Sequence, residues 1–328
     1  MNSFPVYDSR LSASHLGAFL QECYQLNDPI HCRILKTGIS HSYLLNDGVN
    51  KRIFRLYSFN WRTKLEIEEE LRLLNLLKDN GAPVSYPIAD AQGNFIQEIS
   101  APEGLRYGVL FSFAEGQKIR IFTDEISFNV GAAMARFHKI TQELALKRVT
   151  YNTDTLLFAP LQWAKTFFAT DSETMTFVES TTYALASKFK EISRTNVRVG
   201  TVHLDIWYDN MHIDTNGNIT LFDFDFCGNG WQCLDLAYFN VQLFNIEPDP
   251  EEYRRKLNRF FEGYETITKI SDEEKGFIPY LAVSIWFFYL GIQCQRFDDW
   301  GNLFISEDYF KRFIAIIQKW CIHHQLFE

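Results

Sequence analysis

Two carboxylates interrupt an otherwise apolar stretch of this chain. Residues 219–226 run Ile219-Thr220-Leu221-Phe222-Asp223-Phe224-Asp225-Phe226. An unpaired carboxylate buried among such neighbours is costly, so Asp223 and Asp225 need partners or a cation. Taken as one strand, the stretch turns both onto the same face, because strand side chains alternate. Such a pair suits a divalent cation held through oxygen. Just ahead, Asp214-Thr215-Asn216-Gly217-Asn218 carries the turn residues of a β-hairpin, and residues 210–213 supply its other strand.

The chain entering that hairpin reads His203-Leu204-Asp205-Ile206-Trp207-Tyr208-Asp209-Asn210. The pattern is therefore H-x-D-x-x-x-x-N, followed by D-x-D across the turn. The hairpin returns the backbone so that Asn210 and Asp223 can meet at one metal. Transfer of a phosphoryl group from a nucleotide needs this kind of set. A carboxylate accepts the proton of the attacking hydroxyl, and oxygen ligands hold Mg²⁺ against the phosphates. Aspartates scattered through polar loops would not sit inside an apolar strand.

The remaining composition excludes several classes. A net charge of −9 without a block of five Lys or Arg argues against a nucleic-acid binder, which needs a basic stripe. Six scattered cysteines, with no C-x-x-C pair, imply reduced thiols and a cytoplasmic protein. The first residues lack the basic start and apolar run of a signal peptide. No stretch reads as a membrane span, since residues 278–292 are interrupted by Pro279, Ser284 and Gly291 and look like a buried helix. The 328 residues suit two lobes better than one core.

Along the chain, apolar spacing predicts a helix over 11–26, then strands at 33–35, 42–45 and 52–57. A helix follows over 64–80 with Gly81 as its left-handed cap. Further strands run to about residue 113. Beyond Gly116 the pattern is helical at 126–145, 161–168, 174–191, 234–244, 251–264, 278–291 and 307–323, with the hairpin as a β island. The expected fold class is α+β. A small β-rich lobe occupies residues 1–110, a hinge 111–116, and a larger, mainly helical lobe 117–328.

These segments resemble the aminoglycoside phosphotransferase and choline kinase superfamily, relatives of the protein kinases. The likeness is strongest over 202–226 and over 228–237, which closes on Asp235-Leu236-Ala237. The layout is similar to the stress response kinase A group, in the Phe54-Arg55-Leu56-Tyr57 strand and in the helix start Ser306-Glu307-Asp308-Tyr309. The resemblance implies a bilobal protein-kinase-like fold with ATP or GTP as co-substrate and Mg²⁺. It makes Asp205 the catalytic base and Asn210 and Asp223 the metal ligands, with Asp225 assisting at the metal or orienting the loop. His203 becomes a structural member of the loop and Asp235 a helix cap that anchors loop backbone, while His138 reads as a packed or solvated helix histidine rather than a catalytic one.

The same resemblance places the nucleotide-covering turn at 37–43, with Gly38 and Ser40. Where protein kinases carry a phosphate-binding lysine, this chain carries Arg55, which can also bind phosphate and pair with a carboxylate. Lys51 and Arg52 are fallbacks. Register against residues 81–84 selects Glu70 as the partner of Arg55. The hinge, with Phe111 and Phe113, would hold the purine by its backbone.

The acceptor is expected to be a small hydroxyl-bearing molecule. A protein Ser/Thr kinase is the alternative, and an inactive kinase-fold scaffold a third. Only eleven residues separate Asp223 from Asp235, too few for a long activation loop. Trp207, Tyr208, Trp231, Trp286, Phe287, Phe288, Tyr289 and Trp300 are candidate pocket walls, with Asp298 and Asp299 beside them, although aromatic helical stripes are mostly core.

Overall fold

The computed structural model of the chain describes residues 4–27, 29–192, 197–300 and 302–327, with Asp299 and Trp300 described by their backbone alone. The chain divides into two compact units, Met1–Glu115 and Gly116–Glu328.

The first unit is an antiparallel sheet with two helices. Its elements are α1 (Ala13–Tyr24), β1 (His31–Lys36), β2 (Ser40–Asn46), β3 (Lys51–Tyr57), α2 (Lys64–Asp79), β4 (Pro87–Ile88), β5 (Ile96–Ala101) and β6 (Gly104–Ser112). Strand order is β1-β2-β3-β6-β4, and β5 also pairs with β6. In β2 every second residue is buried, so Tyr43 and Leu45 join Phe54, Leu56 and Leu110 against Leu16 and Leu20 of α1. The turn into β3 is closed by Asp47, whose carboxylate accepts the Asn50 N–H at 2.6 Å and pairs with Arg52 at 2.8 Å. Thr63 and Glu66 form a capping box that starts α2, while Gly81 beyond it takes φ +70°.

The second unit is mainly helical. Its helices are α3 (Asp124–Ile140), α4 (Ala159–Phe167), α5 (Glu173–Ile192), α6 (Cys233–Ile246), α7 (Pro250–Glu265), α8 (Asp272–Gln295), α9 (Phe297–Trp300) and α10 (Glu307–His323). Two small ribbons interrupt them: β7 (Val199–Val202) with β10 (Gly228–Trp231), and β8 (Met211–Ile213) with β9 (Ile219–Leu221). A π-helical turn, Asp154–Phe158, precedes α4. Helix α8 is longer than the expected 278–291, because Ser271 and Glu274 cap it six residues earlier. It is apolar and long enough to cross a membrane, yet 67% of its most apolar window is buried within the protein. All six cysteines are free.

Helices α3 and α7 cross through two glycines. A Cβ on Gly131 would lie 2.0 Å from the Phe260 carbonyl oxygen, and one on Gly263 would lie 1.9 Å from that of Phe128. Neither helix can take a side chain there without the pair separating. The crossing also brings His138 of α3 within 2.8 Å of the Tyr264 hydroxyl of α7. We predict that Gly131→Ala lowers stability by about 2–3 kcal/mol, as overpacking of a tight contact does. Thermal melting checks this, with a Tm several degrees below wild type expected.

Candidate active site

The segment 203–210 is held by its backbone before its side chains are considered. Leu204 sits at φ +66°, a left-handed conformation that costs a β-carbon residue roughly 1–2 kcal/mol. Asp235, in the first turn of α6, offsets that cost. Its Oδ2 accepts the His203 N–H at 2.9 Å and its Oδ1 accepts the Leu204 N–H at 2.6 Å. Asp235 therefore anchors the loop from inside the helix, whereas Gln232 occupies the N-cap position.

His203 and His138 are both buried. His203 Nδ1 accepts the Asp205 N–H at 3.2 Å, so its Nε2 carries the proton and donates to the Phe222 carbonyl at 3.2 Å. Burial holds His203 below the usual histidine range, which keeps it neutral. His138 Nε2 lies 3.0 Å from Asp235 Oδ2. Behind it, Arg198 reaches the Tyr264 hydroxyl at 3.2 Å and grips Glu274 through Nε at 2.7 Å and Nη2 at 2.9 Å.

The half-buried Asp205 has both carboxylate oxygens engaged. Tyr238 donates its hydroxyl to Oδ1 at 2.7 Å, and Asn210 donates its amide to Oδ2 at 2.6 Å and to the Asp205 carbonyl at 3.0 Å. With its NH₂ group so used, Asn210 has only its amide oxygen left to offer a cation. Burial first, then the negative charge of Asp223, raises the Asp205 carboxyl to about 7 against the lowering effect of hydrogen bonds from Tyr238, Tyr289 and Asn210.

The β8–β9 ladder ends on Met211 and Leu221, and the Phe222 N–H continues it to the Asn210 carbonyl at 3.1 Å. Asn210 and Asp223 thus flank the open end of the hairpin. One expectation is corrected here: Asp223 and Asp225 do not share a strand face. The strand stops at Leu221, Asp223 takes φ +66° and ψ +60°, and Phe224–Phe226 form a 3₁₀ turn. The alternation argument fails because the backbone leaves the strand before either carboxylate is reached. Asp225 is buried, and Arg148 donates to its backbone carbonyl. Neither Tyr238 nor Arg148 had been singled out from the sequence. The one signal for Tyr238 is its place one turn after Asp235 on the same helix.

In the first unit, Arg55 Nη1 meets Glu70 Oε1 at 3.1 Å, and the Tyr57 hydroxyl donates to Glu70 Oε2 at 3.1 Å. The Arg55 guanidinium also lies 5.4 Å from the Phe111 ring centre. Arg52 is taken up by Asp47, and Lys51 lies 5.3 Å from the Phe113 ring centre. Gly38 lies in the turn before β2, where an added Cβ would meet nothing within 4 Å, and Ser40 starts that strand with its hydroxyl unbonded. Of the suggested pocket walls, Trp231, Trp286, Phe287 and Phe288 are packed against other residues, Trp231 on Phe189 and Trp286 on Trp320. Trp207 and Tyr208 stay half-buried beside Asp205. The side chains of Trp300 and Asp299 lie outside the described residues.

Among the described residues no three His, Cys, Asp or Glu side chains cluster as a metal cage. The donors present are carboxylate and amide oxygens. That set fits a hard divalent cation of the Mg²⁺ kind, which takes one or two carboxylates and completes its shell with phosphate and water.

The chain belongs to the phosphotransferase enzyme family, whose model matches residues 31–269. It is therefore a phosphotransferase, and membership implies a nucleotide co-substrate and a divalent metal. An uncharacterised protein of Synechocystis is 28% identical over 97% of this chain and 88% of its own length. A homoserine kinase of Bradyrhizobium diazoefficiens is 24% identical over 89% and 86%. Among solved structures, amicoumacin kinase hAmiN in complex with AMP-PNP, Ca²⁺ and amicoumacin superimposes with a TM-score of 0.77 at 21% identity, covering 94% of each chain. The microcompartment-associated aminopropanol kinase gives 0.76 at 20% identity, covering 94% of this chain and 95% of its own. The fold is that of the small-molecule kinases, with a β-sheet N-terminal unit and a mainly helical C-terminal one.

The anchoring by Asp235 predicts a clear mutational result. Asp235→Ala leaves two loop N–H groups and His138 without their acceptor, and each buried group so orphaned costs about 1–3 kcal/mol. Turnover should fall at least a hundredfold, with a lower urea midpoint. Asp235→Asn, which keeps one acceptor oxygen, should fall between the two in both assays.

Proposed function

We propose that this enzyme transfers the γ-phosphate of ATP or GTP to a hydroxyl of a small amino alcohol or hydroxy amino acid. The observation that carries it is the state of Asp205: a carboxylate aimed by two donors and raised to about 7, matched to taking a proton near neutral pH. Asp205 accepts the proton of the acceptor hydroxyl as that oxygen attacks the γ-phosphorus. Asn210 and Asp223 hold Mg²⁺, and the buried Asp225 supports that site from the 3₁₀ turn. When bound, Mg²⁺ neutralises phosphate charge and orients the nucleotide.

Within the first unit, Arg55, itself oriented by Glu70, contacts the nucleotide phosphates, and the turn with Gly38 and Ser40 covers them. The backbone around Phe111 and Phe113 receives the base. The acceptor class rests on the homoserine kinases among the relatives and on the aminopropanol kinase among the structural neighbours. Six free cysteines accord with a cytoplasmic setting.

A screen tests this directly. MgATP and MgGTP are offered with homoserine, 1-amino-2-propanol, ethanolamine, choline, a sugar, an aminoglycoside and a generic protein. Phosphorylation of a small amino alcohol or hydroxy amino acid is expected, with none of the protein. Asp205→Ala should reduce that turnover by at least a hundredfold while nucleotide still binds. Transfer confined to the protein would reject the acceptor class, and wild-type turnover by Asp205→Ala would reject the base.

A further inference from the structure

Helix α6 touches segment 203–210 twice. Asp235 takes the backbone N–H groups of His203 and Leu204, and Tyr238, three residues on and on the same face, donates to Oδ1 of Asp205 at 2.7 Å. One rigid helix thus fixes both the path of the loop and the direction of the carboxylate it carries.

We infer that Tyr238 is a positioning residue for the base: its hydroxyl sets the rotation of the Asp205 carboxylate and so decides which lone pair meets the acceptor hydroxyl. This rests on the assignment of Asp205 as base. Asn210 holds the other oxygen at 2.6 Å, from the turn at the far end of the loop. These donors on opposite oxygens, with the Tyr289 hydroxyl as a further one, resist rotation about the Cβ–Cγ bond, and loss of the short bond from Tyr238 loosens it. An ionised carboxylate offers about four lone-pair sites, so this grip aims the group without blocking it.

The phenol is well placed to act as a fixed donor. Tyr238 is 4% exposed. Its ring lies 5.6 Å from that of Tyr289, which in turn packs 5.4 Å from Phe226. Tyr289 donates its own hydroxyl to the Leu204 carbonyl at 3.1 Å, so the neighbour that confines Tyr238 is tied to the same loop. A buried phenol with no work to do would be replaceable by phenylalanine. Here its hydroxyl is spent on the one carboxylate proposed to react.

Reactions that need a base within hydrogen-bond reach lose rate when that base is misaimed by a fraction of an ångström. Removal of the hydroxyl should therefore act on the chemical step and leave both substrates bound. The test compares wild type, Tyr238→Phe, Tyr253→Phe and Asp205→Ala. Turnover is measured with MgATP and the best acceptor of the screen, or as MgATP hydrolysis if none is found. MgAMP-PNP affinity and thermal melting are measured on the same samples.

We expect Tyr238→Phe to lose about ten- to a hundredfold in kcat, the effect of one charge-assisted hydrogen bond. Acceptor KM and MgAMP-PNP affinity should stay within about twofold, a split that loss of packing would not produce. Tyr253→Phe, which removes a buried hydroxyl that bonds Asn240 away from the loop, should stay within about threefold of wild type. Wild-type kcat in Tyr238→Phe, with Asp205→Ala inactive, overturns the inference and leaves the base intact. An equal loss in Tyr253→Phe, or a lowered Tm with weakened nucleotide binding in Tyr238→Phe, makes the effect one of packing and also overturns it. Full turnover by Asp205→Ala removes the base itself.

Discussion

The carboxylate of Asp235 is the interaction on which the path of segment 203–210 depends. Leu204 is held in a left-handed conformation that its side chain disfavours, and two hydrogen bonds from the loop to Asp235 keep it there. Asp235 is itself oriented by His138, and behind that histidine stand Tyr264, Arg198 and Glu274. Glu274 also closes the capping box of α8. Partners from α3, α7 and α8 therefore reach one loop through a single chain of hydrogen bonds, and the glycine crossing of α3 and α7 makes the middle link short enough. A buried ion pair such as Arg198–Glu274 adds little net stability over an apolar pair. Its value lies in fixing geometry.

That geometry bears on the chemistry in one specific way. Burial and the charge of Asp223 push the Asp205 carboxyl upward, and the donors on its two oxygens pull it back. The outcome near 7 is a balance of desolvation and the Asp223 charge against hydrogen bonding, set by residues from α6, from α8 and from the end of the loop. Neither contribution belongs to Asp205 alone. In the first unit the balance is simpler: Glu70 accepts from both Arg55 and Tyr57, so the arginine is pre-oriented within its own sheet and helix.

Much of this was legible in the sequence because it rests on local periodicity. Short β-like runs between turn residues located β1, β2 and β3, amphipathic spacing located α2, and the span 307–323 of α10 agreed to the residue. The pairing of Arg55 with Glu70 was legible through the family resemblance, which marked Arg55 in the strand 54–57 and Glu70 by its register against residues 81–84. The conformation of Asp223 was not. Aspartate tolerates positive φ without advertising it as glycine does, so an apolar run continued on paper where the backbone had turned. The network behind Asp235 was equally hidden. Its members at 138, 198, 264 and 274 share no spacing, and only packing brings them together. Tyr238 was masked because α6 is apolar nearly all round, so one tyrosine among its aromatics reads as core.

The central claim is that Asp223 and Asn210 bind the metal that holds the nucleotide, while Asp205 serves the acceptor. Calorimetric titration with AMP-PNP, in the presence and absence of Mg²⁺, separates these roles most directly. Wild type and Asp205→Ala should bind alike and only tightly with Mg²⁺, whereas Asp223→Ala should lose at least tenfold in affinity and most of its Mg²⁺ dependence. Affinity that is independent of Mg²⁺ in wild type, or unchanged in Asp223→Ala, would contradict the account.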